Sequence, residues 1–321
     1  MRYDNGYSTY RTWENKNSCI NVFEHFLSHE LHNKDLALAE LTIDIIDKYI
    51  EYKRSDRGNT SNESINKSLV PVYQSLDYAA KNGIIEQHLI ASLTSYYLPI
   101  KKTRYADREL ENDKIKYLSI EQINRLVAYY NNCTRERTKE FIELWLFSFY
   151  ACGLRFSDII TLEWRHINFD KNILAKTQFK TGNDVSFPLN EGALDILNKW
   201  KSKGNGNRFV FKMLEDDFDM SDERALLMRK CSLNKTINTS LNTIGKKIGL
   251  DFSLTMHVAR HTFAVNAING DMDIKVLAKI MGHTTTYTTE KVYAKILMKT
   301  VSEQIEDKTK FYNKVAKPKL I

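Results

Sequence analysis

Through the first hundred residues, apolar positions recur at three- and four-residue spacing. Phe23, Phe26 and Leu27 open one apolar face, and Leu41, Ile45, Ile46 and Ile50 carry a second. A third helix is expected from a Ser61 cap through Leu69, Val70, Tyr73, Leu76 and Ala80, with Gly83 ending it. Pro71 inside that pattern should kink the helix or mark its true start. A short fourth helix over Ile90–Tyr97 completes a small bundle. After Pro99 the run KKTRYADRELENDK has dense alternating charge and almost no apolar period, which reads as a linker.

Helical spacing resumes at Ser119, where Ser119 and Gln122 form a capping box ahead of Ile123, Leu126 and Val127. Thr134 is placed to cap a helix through Phe141, Leu144, Leu146 and Phe149 that stops at Gly153, and Ser157 to cap the next one. From Trp164 to Leu189 the period shortens towards two. The segments HINF, NILAKTQF and DVSFPL, with turns at 170–172 and 181–184, predict a three-stranded antiparallel meander. Helices then return from Asn190, Thr255 and Asp273, with stops at Gly270 and Gly282. The acidic run at 214–223 reads as an exposed loop. The expected fold is mainly α with a small three-stranded antiparallel sheet, in two domains: an N-terminal helical bundle (1–98), a linker (99–117) and an α+β domain (118–321).

Composition narrows the class. With 42% hydrophobic and 27% charged residues, the chain has globular chemistry. No apolar run approaches the ~18 residues of a membrane span, and the polar N-terminus lacks a signal-peptide core, so a cytoplasmic protein is expected. The four cysteines form no CxxC pair, which argues against disulfides and thiolate zinc. The net charge of +7 is unevenly spread: residues 1–110 hold 14 basic and 15 acidic side chains, residues 111–321 hold 33 and 25. An anion-directed site is therefore expected in the C-terminal two-thirds.

Four segments there could carry chemistry. In GLRFSDIITLEW, Arg155 lies in an inter-helix turn, where a guanidinium either forks onto a phosphate or pairs with Asp158 at the surface. In FKTGNDVSFPL, Lys180 projects from a hairpin tip, as a solvated lysine or as a mobile cation. In HVARHTFA, His257 and Arg260 share a helix face that suits a phosphate oxygen. His261 lies four after His257, but Val258 stands where a zincin has glutamate and no third ligand is apparent, so no metal is expected and His261 should pack or hydrogen-bond near the helix core. In MGHTTTYTTEKVYAKI, His283 follows a helix stop and Tyr293 lies on the next helix, as a packing residue or as a nucleophile.

Taken in order, Arg155, Lys180, His257, Arg260, His283 and Tyr293 resemble the active-site series of the tyrosine recombinase (phage integrase) family. The resemblance runs from about Lys116 to Lys299, and the N-terminal bundle looks like that family's SAM-like core-binding domain. One departure stands out: the family's tyrosine usually lies nine residues after the last histidine, whereas Tyr293 is ten after His283 and Tyr287 is four. The text TTEKVYAKI favours Tyr293.

The resemblance implies site-specific strand exchange on double-stranded DNA through a 3′-phosphotyrosyl link, serving mobile-element integration, excision or inversion. It implies that Tyr293 attacks, Arg155 and Arg260 hold the phosphate, His257 and His283 donate to it, Lys180 protonates the leaving oxygen and Asp158 braces the site. No cofactor is implied. The implied partners are specific recombination sites, a homo-tetramer on DNA joined by the C-terminal helix VSEQIEDKTKFYNKV, and room for accessory DNA-bending or directionality factors. An arm-binding module is not expected, because too few residues precede Phe23. A type IB topoisomerase-like relaxing enzyme, a non-catalytic DNA-binding protein and a metal-dependent nuclease are the competing readings.

Overall fold

The computed structural model describes residues 8–33, 35–55, 58, 61–100, 115–204, 208–290, 292, 293 and 296. The chain divides into two units, one centred on Met1–Lys102 and one on Thr103–Ser221 with Met228–Ile321. Much of the expected linker and the whole C-terminal segment VSEQIEDKTKFYNKV lie outside the described residues.

In the first unit, helices α1 (Tyr10–His29), α2 (Ile43–Ser55), α3 (Asn62–Lys81) and α4 (Gln87–Thr94) enclose one apolar core. The Thr9 and Ser61 hydroxyls cap α1 and α3 by accepting from backbone N–H groups three residues on. The core is aromatic at its centre: the Phe23 ring meets Tyr49 edge-on at 4.9 Å, and Tyr49 and Ile46 are fully buried. Each such side chain contributes about 1.5–3 kcal/mol of burial. Pro71 does not start α3 but lies inside it, so the Ser61 cap sets the boundary. The fourth helix begins and ends three residues earlier than the apolar pattern indicates. Beyond it, the Asn66 carboxamide clasps both the N–H and the C=O of Leu98, each at 2.9 Å.

The second unit holds helices α5 (Ile120–Asn132), α6 (Glu136–Tyr150) and α7 (Phe156–Ile160). The sheet β1 (Ile167–Asn168), β2 (Ile173–Thr177) and β3 (Asp184–Pro188) follows. Helices α8 (Glu191–Ser202), α9 (Glu223–Lys247), α10 (Met256–Asn269) and α11 (Ile274–Ile280) come next, with a helical segment over 286–290. The Ser119–Gln122 capping box forms as expected. The sheet is an antiparallel meander in the order β1-β2-β3, with Leu174 opposite Phe187. Period-two alternation buries Leu174, Val185 and Phe187 on one face.

Helix α6 is the central strut, buried over most of its length from Phe141 to Ser148. Helix α10 packs along it, and the Trp145 indole N–H donates to the Thr255 carbonyl at the α10 N-cap, at 3.1 Å. Two helix starts differ from expectation. α6 begins after Arg135, not Thr134, without a side-chain cap. α7 begins after Arg155, not Ser157, because the Arg155 carbonyl accepts from the Asp158 and Ile159 N–H groups. Helix α9, the longest described, follows an acidic loop in which Leu214 is nonetheless buried.

Candidate active site

The site is built where the turn after α6, the β2–β3 hairpin and the turn after α11 converge. Helix α6 ends in a left-handed turn at Cys152 (φ 55°) and Gly153 (φ 71°). A side chain at Gly153 would also press on the Phe263 ring and on Arg260 Cγ, at 3.1 and 3.3 Å. Glycine there serves both backbone conformation and close approach. The approach has a use: the Gly153 carbonyl accepts from Arg260 Nη1 at 2.7 Å.

Arg260, from the first half of α10, is only 4% exposed. Its Nη2 donates to the Met281 carbonyl at 2.7 Å and to His283 Nε2 at 3.0 Å. Burial and the nearby Arg155 charge lower its pKa to about 9. A guanidinium can only donate, so His283 Nε2 is the acceptor and the imidazole proton resides on Nδ1. That proton is donated to Thr289 Oγ1 at 2.7 Å. Burial and the Arg260 and Arg155 charges push His283 down to about 4, which keeps the ring neutral at pH 7.

Arg155 does not pair with Asp158. Its Nη1 donates to Gln178 Oε1, which also accepts from the Thr181 hydroxyl at 3.0 Å. Gln178 is 1% exposed, and its Nε2 donates to the Met281 carbonyl at 3.1 Å. One carboxamide thus ties the hairpin, Arg155 and the turn after α11 together. Gly282 (φ 67°) makes this possible, since any β-carbon there would run into that carboxamide. Asp158 braces the hairpin from the other side: fully buried, its Oδ1 accepts from the Phe179 N–H at 2.7 Å. Burial raises its pKa despite that bond and the Lys176, Arg155 and Arg260 charges. Lys180 follows in the turn, exposed to solvent.

The third side is a stack on α10 and beyond. His257 is solvent-facing, while loss of water on its inner edge and the Arg260, Lys180 and Arg155 charges lower its pKa. Its ring meets His261 edge-on at 4.5 Å. His261 Nδ1 and the Tyr293 hydroxyl share a 2.9 Å hydrogen bond. Tyr293 is 2% exposed, in an apolar cluster with Ala264, Val265, Ile268, Leu277 and Met281. Burial raises its phenol above the usual range, against the pull of the Arg260 charge. Tyr287 is 66% exposed and lies in the first turn of the 286–290 helix rather than in the turn before it. Among the described residues no group of three His, Cys, Asp or Glu could hold a metal ion.

The structure gathers five of the six residues marked by sequence, Arg155, Arg260 and His283 through shared hydrogen-bond partners and His257 and Tyr293 through His261, while Lys180 lies exposed in the hairpin turn beside them. Two partners were not singled out by sequence, Gln178 and Thr289, while His261 hydrogen-bonds as one of its two expected readings had it, with Tyr293 as the partner. Among the described residues neither arginine forms an ion pair with a carboxylate. Two guanidiniums, an ammonium and neutral imidazoles around one position suit a tetrahedral anion next to a phenol.

Comparison with known proteins agrees with this geometry. Residues 116–300 match the phage integrase family and residues 2–95 the phage integrase SAM-like domain. The tyrosine recombinase XerA of Pyrococcus horikoshii is 28% identical over 227 residues, covering 68% of this chain and 71% of its own. A tyrosine recombinase of Thermosipho africanus is 22% identical over 281 residues, covering 84% and 92%. In fold, the chain resembles the Tn1549 transposon integrase solved in complex with transposon right end DNA (TM-score 0.67, 14% identity, covering 94% of this chain and 95% of that one). It also resembles the lambda integrase dimer bound to a COC′ core site (TM-score 0.61, 17% identity, covering 89% of each). The two family matches together span both domains and most of the chain, and place it in the phage integrase family of tyrosine recombinases.

Proposed function

We propose that the chain is a site-specific DNA recombinase in which Tyr293 is the nucleophile. The observation that carries this reading is Arg260: a buried cation held only by neutral acceptors, between Arg155 and the tyrosine. In this reading Arg155 and Arg260 bind the non-bridging oxygens of the scissile phosphate and neutralise charge growing on the phosphorane. His257 and His283 hydrogen-bond the same group. The Tyr293 oxygen bonds to phosphorus as the bond to the 5′-oxygen breaks. The phenol proton leaves to a neighbouring base, and Lys180 protonates the 5′-oxygen. One phosphoester replaces another, so a 5′-hydroxyl from a partner duplex reverses the step without an external energy source.

The raised phenol pKa fits a nucleophile that stays neutral until it attacks. Residues 1–98 and 118–321 would act as two DNA-binding domains joined by 99–117, in the cytoplasm and on a mobile element. The lambda integrase has also been solved as a tetramer bound to a Holliday junction. A tetrameric synapse, joined through the C-terminal segment and open to accessory factors, is the corresponding assembly here.

A nicked duplex carrying a core site selected from a random DNA pool tests the reading. Cleavage releases the short strand and traps a covalent adduct that survives denaturation. The adduct is expected with the wild type and with Tyr287→Phe, and to be absent with Tyr293→Phe. Loss in Tyr287→Phe alone would transfer the nucleophile to that residue.

A further inference from the structure

No role attaches to Thr289 within the segment that marks His283 and Tyr293, yet it is fully buried and its hydroxyl lies 2.7 Å from His283 Nδ1. On the far side of the ring, Arg260 Nη2 donates to Nε2 at 3.0 Å. The imidazole is thus gripped at both nitrogens, by a group that can only donate and by a group that can do either. We propose that Thr289 is the positioning residue that holds the His283 ring in place and serves either tautomer as Nε2 passes from Arg260 to the scissile phosphate. This inference rests on the recombinase reading above.

The chemistry of the hydroxyl gives the reason. In the protein alone, Nδ1–H donates to Thr289 Oγ1 and Nε2 accepts from Arg260. When a phosphate oxygen takes over the Arg260 N–H, Nε2 must turn from acceptor to donor. Nδ1 then gives up one proton to solvent and Nε2 takes one, so the ring stays neutral. The Thr289 hydroxyl turns from acceptor to donor towards Nδ1, and the ring plane stays fixed throughout. A carboxylate could only accept and would hold the proton on Nδ1, while a valine of the same shape offers nothing to either tautomer. Second partners of this kind fix ring orientation at metal sites by the same physics. The sequence places Thr289 six residues after His283, on the helical segment that leads to Tyr293.

The test uses the full chain with Thr289→Val and Thr289→Ser. Nitrogen-15 NMR of His283 in the free wild-type protein should show a protonated Nδ1 and an unprotonated Nε2. An Nε2–H tautomer in the wild type would overturn the proposal without any variant. Thr289→Val should leave the free-state tautomer to Arg260 but weaken the Nδ1–H signal through faster exchange with solvent, and slow adduct formation about tenfold to a hundredfold, with DNA affinity unchanged. Thr289→Ser should restore both the spectrum and the rate. Cleavage by Thr289→Val at the wild-type rate, or failure of Thr289→Ser to restore it, would overturn the proposal. If the wild type forms no adduct, the recombinase reading fails, while the spectra still decide whether Thr289 holds Nδ1.

Discussion

Two of the places where the second unit buries charge are treated in opposite ways. At the α6–α8 contact, Glu143 is 1% exposed and accepts from Lys199 at 2.5 Å and from the Tyr130 hydroxyl at 2.8 Å. Lys203 reaches Glu136 and Glu140 beside it, at 2.7 and 3.3 Å. Every charge in this cluster has an opposite within reach, as a structural network requires. At the α10 site, Arg260 is equally buried but its acceptors are two carbonyls and a neutral imidazole. The nearest buried acid, Asp158, spends its hydrogen bond on the Phe179 N–H. A core that merely needed stability would have paired that cation. Leaving it to dipoles keeps a positive site ready for an anion from outside.

The largest expected effects separate the two clusters. Arg260→Met should slow covalent adduct formation about 10²–10³-fold, the loss typical of one preorganised donor at a developing anion. It should cost under about 1 kcal/mol of stability, because relief of the desolvated charge offsets the carbonyl left without a donor. Lys199→Met should do the reverse. It strands Glu143 and should lower stability by about 2–3 kcal/mol, discounted from the cost for a fully buried pair because Lys199 is partly exposed. Its cleavage rate should equal the wild type. Chemical denaturation and single-turnover cleavage on the same preparations measure both, and matching losses in both assays would erase the distinction.

A smaller effect concerns pH. His261 and His283 are lowered to about 4 by burial and neighbouring positive charge, from an ordinary value near 6.5. Between those values the unfolded chain binds more protons than the folded one. Stability is therefore full above pH 6.5 and is lost as pH falls from 6.5 towards 4. Between pH 7 and 5 each histidine should cost about 1–2 kcal/mol, read as a lower melting temperature. His283→Gln should flatten that slope, whereas Lys199→Met should leave it unchanged.

The elements around this site were legible where local chemistry decides them. Ser119, Asn190 and Asp273 are N-caps whose side chains accept backbone N–H groups, and the hairpin strands alternate as their sequence does. Arg155 shows where that logic stops. Ser157 looks like the better cap, but the tight turn at Cys152–Gly153 delivers the chain so that the Arg155 carbonyl receives the first helical bonds. The six candidate residues were legible because their types and order form a pattern. Gln178 and Thr289 were not, since an amide at a strand end and a threonine in a helix are ordinary in sequence. Their roles come from contacts 103 and 6 residues away, to Met281 and to His283. His261 was expected to pack or hydrogen-bond near the core, but that its partner is Tyr293, 32 residues on, was not legible in the sequence.

The central claim is that the uncompensated charge of Arg260 exists for a phosphate, and neutralising the phosphate tests it most directly. A nicked duplex with a methylphosphonate at the scissile position carries no negative charge there. The account predicts that Arg260→Ala, severely slowed on the phosphate, recovers most of its cleavage on the methylphosphonate, with Tyr293 still required. Equal impairment of Arg260→Ala on the charged and neutral substrates would contradict it.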